Sequence, residues 1–354
     1  MTKANQKAPS AAQRRERERQ QRQQRLASNK NSQSQARNKG PKQRQSNQRQ
    51  WLLIGGVLAL IAVIIIAFII ISRQPSGSQG GPTQASSQVF KAVTNVDPNV
   101  LAAVGTGGVQ NPLHTVKGPP PVLVGPTGKP QFLYIGADYC PFCAAQRWAI
   151  VVALSHFGTF SKLYQTTSSS VDVYPDTSTF TFSPSLYGGS LYSSSYIDFV
   201  AVETQGNQQD ASDNYPVLQT PTTEQQQLLT TYDAPPYTTQ DQAGSIPFVD
   251  IANQYIAVGL SQGFSPQDLQ GLQWQDIATS LADSSSTVAK GIIGTSNYMT
   301  AGICMVTHQQ PANVCSTDTI QKIEQSLGKS AVVPGGTQIA IAGQLEAVIR
   351  REVL

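Results

Sequence analysis

Charge is what this sequence has little of. Only 13% of its 354 residues are Asp, Glu, Lys or Arg, about half the share usual in a soluble protein. The formal net charge of +4 is also unevenly divided. Residues 1–50 hold 14 Lys/Arg against Glu16 and Glu18, or +12, while the other 304 residues hold 11 bases and 19 acids, or −8. A single domain with an evenly charged surface is excluded, and two regions of opposite sign need explaining. The basic segment lacks large aliphatic side chains apart from Met1 and Leu26, so it cannot build a core and is expected to be disordered. It has no aromatic residue for base stacking, which argues against a nucleic-acid-binding arm. No internal repeat is present, and no Asn-x-Ser/Thr site suggests N-glycosylation.

What is present next is an uncharged apolar run, Trp51 to Ile71, of 21 residues. As a helix it would span about 30 Å, the thickness of the hydrocarbon layer. No small-x-small cleavage site and no cysteine for lipid attachment follow it; the next residues are Ser72-Arg73-Gln74-Pro75. The run is expected to be a single-pass signal anchor. Fourteen cations precede it, and only Arg73 and Lys91 come soon after. The tail is therefore expected in the cytoplasm, beside anionic lipid head groups, with the rest of the chain extracytoplasmic.

Beyond the anchor, residues 72–128 read as a stalk and a Pro/Gly-rich transition region. Residues 129–354 read as one α/β domain. Gln131–Ala137 suits a buried central strand, and Ala144–Leu154 is apolar at helical spacing, with Gly158 placed to end the helix. Thr179–Phe182 and Tyr196–Val202 read as strands, and Ser245–Ile251 as a strand opening on Pro247. Helices are expected near Thr222–Tyr232 and over 266–284, 286–305, 316–327 and 336–350.

The chemistry-bearing motif is Cys140-Pro141-Phe142-Cys143, between the first strand and its helix. A thiol at a helix N-terminus meets unpaired backbone N–H groups and the positive end of the helix dipole, which favour the nucleophilic thiolate. Pro141 suits the first turn, where its missing N–H costs nothing. Cys143, one turn on, is placed to resolve a mixed disulfide. Zinc binding with Cys304, His308 or Cys315 fits less well, because Cys304-x-x-x-His308 is not a usual ligand pair. An inert disulfide is the other alternative. No metal and no cofactor beyond a redox-active Cys140–Cys143 disulfide is expected.

Strand, Cys-x-x-Cys at a helix start, and Ile246-Pro247-Phe248 opening a later strand resemble the thioredoxin fold. The run Gly136-Ala137-Asp138-Tyr139-Cys140-Pro141-Phe142-Cys143-Ala144-Ala145-Gln146-Arg147-Trp148, with Ile303-Cys304 and Gln310–Cys315, resembles the membrane-anchored thioredoxin-like proteins catalogued as domain of unknown function 929, over about residues 90–350. The resemblance implies that Pro247 is a cis-proline packed against the thiols. It also implies that Ile246, with Tyr139 and Phe142, meets the substrate. The 103 residues between Cys143 and Pro247 imply an insertion at about 158–240. Pro-Phe lacks the histidine found between the cysteines of strongly oxidising periplasmic enzymes, so a milder oxidant is expected, below about −120 mV.

Cys304 and Cys315, 11 apart around Pro311, read as a structural disulfide or as a second redox relay. Asp138 could tune the thiol or merely cap a turn, and Glu203 could be a buried proton-relaying carboxylate or an edge residue. Arg147 could stabilise a thiolate, though solvent is its expected direction. His156 ends the helix, where a cation suits the dipole, and is expected to have a structural role; His114 carries no signal. Expected partners are exported cysteine-containing proteins and a membrane quinone-linked thiol oxidase. A reductase fed by a thiol electron transporter and a non-catalytic binding module are the alternatives.

Overall fold

The computed structural model describes residues 81–118 and 120–327. The basic tail, the 51–71 run and the expected helix 336–350 lie outside the described residues. Among the described residues no helix is long and apolar enough to cross a membrane. In chain order the elements are β1 (Thr83–Gln84), α1 (Ser87–Thr94), α2 (Pro98–Val104), β2 (His114–Thr115), β3 (Gln131–Gly136), α3 (Pro141–Ser155), β4 (Gly158–Phe160), β5 (Tyr164–Thr167), β6 (Ser178–Thr181), β7 (Tyr192–Ser194) and β8 (Asp198–Glu203). They continue with α4 (Thr223–Tyr232), β9 (Phe248–Ile251), β10 (Tyr255–Val258), α5 (Trp274–Ser280), α6 (Thr287–Val306), α7 (Ala312–Cys315) and α8 (Asp318–Leu327).

The architecture is mixed α/β. A five-stranded sheet runs β2-β10-β9-β3-β8, with β3 and β8 parallel and the other neighbours antiparallel. Along β3 the side chains alternate between two cores, as period two demands. Phe132 and Tyr134 face the large core with α3 and α6, whereas Leu133 and Ile135 face a smaller one with Val202, Tyr232, Phe248 and Ile256. Every residue of β3 is buried, which is why its sequence reads as a continuous apolar run.

Helix α3 is covered on several sides. It packs on α6, α1 and β6, and all its residues but Phe142 and Ser155 are buried. Trp148 is completely enclosed, with its indole N–H donating to the Ser178 carbonyl at 2.9 Å. The β6 strand belongs to a separate three-stranded sheet, β1-β5-β6, and β4 pairs with β7. Instead of ending the helix as expected, Gly158 opens β4, and His156 caps α3.

Several expectations need redrawing. Residues 83–115, read as stalk and transition region, carry two helices and two strands; α1 packs on α3 and α5, and α2 on α6. The 158–240 stretch is not one interruption, because it supplies β8, the parallel partner of β3. The expected helix 266–284 is a 3-10 turn at Pro266–Leu269 followed by the short α5. Gly271, at φ +76 in the left-handed region, separates the two.

Candidate active site

The end of β3 and the start of α3 bring the two thiols together. Cys140 is the N-cap of α3: its Sγ accepts the Cys143 backbone N–H at 3.2 Å, and Pro141 occupies the first turn. Cys140 keeps 5% of its surface exposed, whereas Cys143 has none, and both are free thiols. The hydrogen bond from the Cys143 side chain, opposed by burial and helped by backbone N–H groups and the Arg147 charge, lowers the Cys140 pKa. Burial, then the neighbouring Cys140, pushes Cys143 well up. The pair is thus divided into an outer sulfur that ionises easily and an inner one that resists ionisation.

The Ile246–Pro247 peptide is cis, and the Ile246 carbonyl oxygen lies 3.9 Å from Cys140 Sγ. The two motif neighbours have aromatic partners. Tyr139 stacks on Tyr215 with ring centroids 4.4 Å apart, and the half-exposed Phe142 meets Tyr174 edge-on at 6.2 Å.

Behind the thiols lies a buried ionic cluster. Arg147 is wholly enclosed rather than turned to solvent, which corrects the sequence expectation. Its Nε donates to Glu203 Oε1 at 2.8 Å, and its Nη2 donates to Glu203 Oε2 at 2.6 Å and to the Ala137 carbonyl at 2.7 Å. The two readings of Glu203 are not exclusive. It closes the edge strand β8, yet it is fully buried and also accepts the Phe182 N–H at 3.2 Å. The Asp138 carboxylate sits 3.3 Å from Arg147 Nη2. Burial and the Glu203 charge, offset by Arg147, raise its pKa to about 7. One permanent cation is therefore shared by two carboxyl groups, one of which is poised to titrate near neutrality.

Tyr134 is a site neighbour that sequence reasoning missed. A Cβ built on Gly136 would lie 2.1 Å from Tyr134 Oη and 3.1 Å from Cys143 Sγ, so hydroxyl and inner thiol are neighbours across a glycine that nothing larger could replace. Burial raises the phenol pKa well above its usual value, leaving a neutral O–H beside the inner sulfur. Its one sequence signal is a polar-tipped aromatic within an otherwise apolar strand. Asp250 was missed as well. It is completely buried on β9, accepts the Asn253 N–H at 2.6 Å, and burial lifts its pKa to about 7.

The remaining candidates lie elsewhere. Cys304 and Cys315 form a disulfide between α6 and the end of α7, with Cα atoms 5.5 Å apart and neither residue exposed. Joined to each other, they do not complete a four-ligand set with Cys140 and Cys143, and His308 is exposed. Burial lowers the His156 pKa to about 4, so it closes α3 as a neutral imidazole and not as a cation. It borders a cleft of about 620 Å³ with Leu101, Asn297 and Thr300, at the opposite end of α3 from the thiols. His114 is exposed on β2.

A family model described as "Domain of unknown function (DUF929)" matches residues 123–305, a span that holds both thiols, Pro247 and Cys304. No curated protein and no solved structure matches the chain.

Proposed function

The chain belongs to the DUF929 family, and we propose that it is a membrane-anchored, extracytoplasmic thiol–disulfide oxidoreductase built on a thioredoxin-like core. One observation carries the reading: a helix N-cap cysteine with a lowered pKa, nearly buried, with a wholly buried partner thiol one turn on. An inert pair needs no such asymmetry, whereas exchange needs an attacking sulfur and a resolving one. The parallel β3–α3–β8 unit, the antiparallel β9–β10 pair and the cis Ile246–Pro247 bond beside Cys140 support the thioredoxin-like comparison. The 51–71 run and the charge split around it support the anchor and its orientation.

In the oxidising direction a substrate thiolate attacks Cys140 Sγ of the Cys140–Cys143 disulfide. The S–S bond breaks, and Cys143 departs as a thiolate that takes up a proton released by the substrate thiols, its raised pKa holding it as the thiol; the Tyr134 hydroxyl beside it stays protonated. A second substrate thiolate then attacks the substrate sulfur of the mixed disulfide and expels the Cys140 thiolate. The substrate loses two electrons, and the motif is left as a dithiol. The lowered Cys140 pKa makes it the better leaving group. A membrane quinone-linked thiol oxidase accepts the two electrons and restores the disulfide. No other cofactor is required, and the substrates are exported proteins with cysteines.

The test is a Cys143→Ala variant of the full chain, in which mixed disulfides through Cys140 should accumulate with exported proteins. If none forms while Cys140 still alkylates, exchange is not the function. In the cell the wild-type motif should rest mostly as the disulfide; a mostly dithiol resting state would reverse the direction.

A further inference from the structure

Six large apolar side chains are exposed among the described residues, and five lie in three segments that meet at the thiols: Phe142, Val171, Val173, Val217 and Leu218. The segments are physically tied together. In the 168–177 loop, the Ser169 N–H donates to the Tyr139 carbonyl at 2.9 Å, and Tyr174 packs against Phe142. In the 204–219 loop, the Gln205 carbonyl accepts the Asp138 N–H at 2.8 Å, and Val217 bridges to Gln205. The two loops are joined by Tyr215, which stacks on Tyr139 and donates its hydroxyl to Ser169 Oγ at 2.8 Å. An apolar rim therefore frames Cys140, built from loops tied to the residues on either side of the motif.

The rim has one sign of charge. From residue 163 to 289 the sequence contains no Lys, Arg or His, against 13 Asp and Glu. Asp172 and Asp176 share a loop with Val171 and Val173, and Asp210 and Asp213 share one with Val217 and Leu218. The cation next to the motif, Arg147, is fully buried and bound to Glu203. No cation in these segments reaches the surface around the thiol.

We infer that this rim selects, among cysteine-bearing polypeptides, extended segments whose cysteine is flanked by apolar residues and by Lys or Arg. The inference rests on the exchange reading above and names its substrate class. Apolar flanks bury Val171, Val173 and Val217, and basic flanks meet the four aspartates, while an acidic segment is repelled. With only 5% of Cys140 accessible, a partner sulfur must arrive on a chain thin enough to enter between the loops. A second copy docking through the same face would set acid against acid, which disfavours self-association there.

The experiment measures reduction of the Cys140–Cys143 disulfide in the full chain by three thiols: a peptide with Leu, Val and two Lys around one Cys, the same peptide with Glu for Lys, and glutathione. The Lys peptide should react about tenfold faster than the Glu peptide at low salt, and the gap should close at about 1 M salt, where screening acts within about 3 Å. Asp172→Asn with Asp213→Asn should shrink the gap by several-fold. Val171→Ser with Val173→Ser should slow both peptides but not glutathione, whose unchanged rate also certifies the fold. Equal rates for the two peptides, both reacting, would overturn the inference and leave exchange standing. If none of the three thiols reduces the motif, the exchange reading itself fails.

Discussion

Cys140 and Cys143 stand on α3, and Cys304, bonded to Cys315 at the end of α7, stands on α6, which packs against α3; yet the settings of the two pairs are opposite. Cys140 caps the start of α3, where free backbone N–H groups point at its sulfur, and a buried cation and two carboxyl groups lie behind it. Cys304 lies in the last turn of α6, at the carbonyl end where a thiolate is disfavoured, bonded to Cys315 with neither residue exposed. One pair sits beside buried polarity, and the other is shut in an apolar core. The difference teaches that the Cys143 thiol, the free backbone N–H groups at a helix start and a buried cation together lower the pKa of Cys140 against its burial, while Cys304 at a helix end is tied to Cys315.

The most severe way to break this contrast is to delete the outer sulfur. Cys140→Ser should abolish exchange with any cysteine peptide, whereas removing Cys304 and Cys315 together should leave the rate unchanged. A folded Cys304/Cys315 double variant without activity would instead make that pair a relay. Next in size is Arg147→Met, which strands the Glu203 charge in the core and should cost about 3–5 kcal/mol in denaturant unfolding. It should also shift the pH profile of Cys140 alkylation upward, because a charge that lowers that pKa is gone. Adding Glu203→Gln should recover part of the stability, since the fully buried Glu203 charge is then gone and Asp138, the remaining carboxyl beside position 147, is held toward its neutral form by burial.

The pH dependence of stability sharpens the contrast from the reactive side. Asp250, on the strand that Pro247 opens, and Asp138 both have folded pKa values raised to about 7 by burial. An unfolded aspartate titrates near about 3.9. Between these values the folded state binds more protons at these two groups, so their contribution to stability is greatest in acid and falls as pH rises from about 4 to 7. Asp250→Asn, which keeps an acceptor for the Asn253 N–H, should stabilise the protein at pH 7 by at most about 4 kcal/mol and leave it unchanged at pH 4. Thermal unfolding at the two pH values checks this; equal effects at both would remove the buried acid as the cause. The smallest of these effects belongs to the disulfide. Replacing Cys304 and Cys315 by alanine frees a short loop and should cost about 3 kcal/mol, read from the shift in the unfolding midpoint.

Much of the site was legible in the sequence because it is local. Cys140, Pro141 and Cys143 announce a helix start, since proline is tolerated there and the spacing is one turn. The Ile246-Pro247 position followed from the family resemblance, and the structure has that bond cis beside Cys140. Arg147 was misjudged because a charged residue in a helix is ordinarily turned to solvent, and its partner Glu203 is 56 residues away on another strand. The helices at Ser87–Thr94 and Pro98–Val104 were missed because short elements separated by Asn, Asp and Pro show no clear period. They are held by packing on α3 and α6. Tyr215 and Tyr174 were invisible as site residues, since nothing in their own neighbourhoods points to Tyr139 or Phe142.

By itself the sequence determined the α/β class, the Cys-Pro-Phe-Cys motif at its helix start, and a charge split that divides a basic tail from an acid-rich remainder. Each depends on residues adjacent in the chain, where backbone geometry and composition act directly. Tertiary structure alone decided that Arg147 is buried between Glu203 and Asp138, that Tyr134 adjoins the inner thiol, and that two distant acidic loops close around the outer one. Those contacts arise from burial. Desolvation and long-range pairing depend on which surfaces the fold brings together, and no window of sequence contains that information.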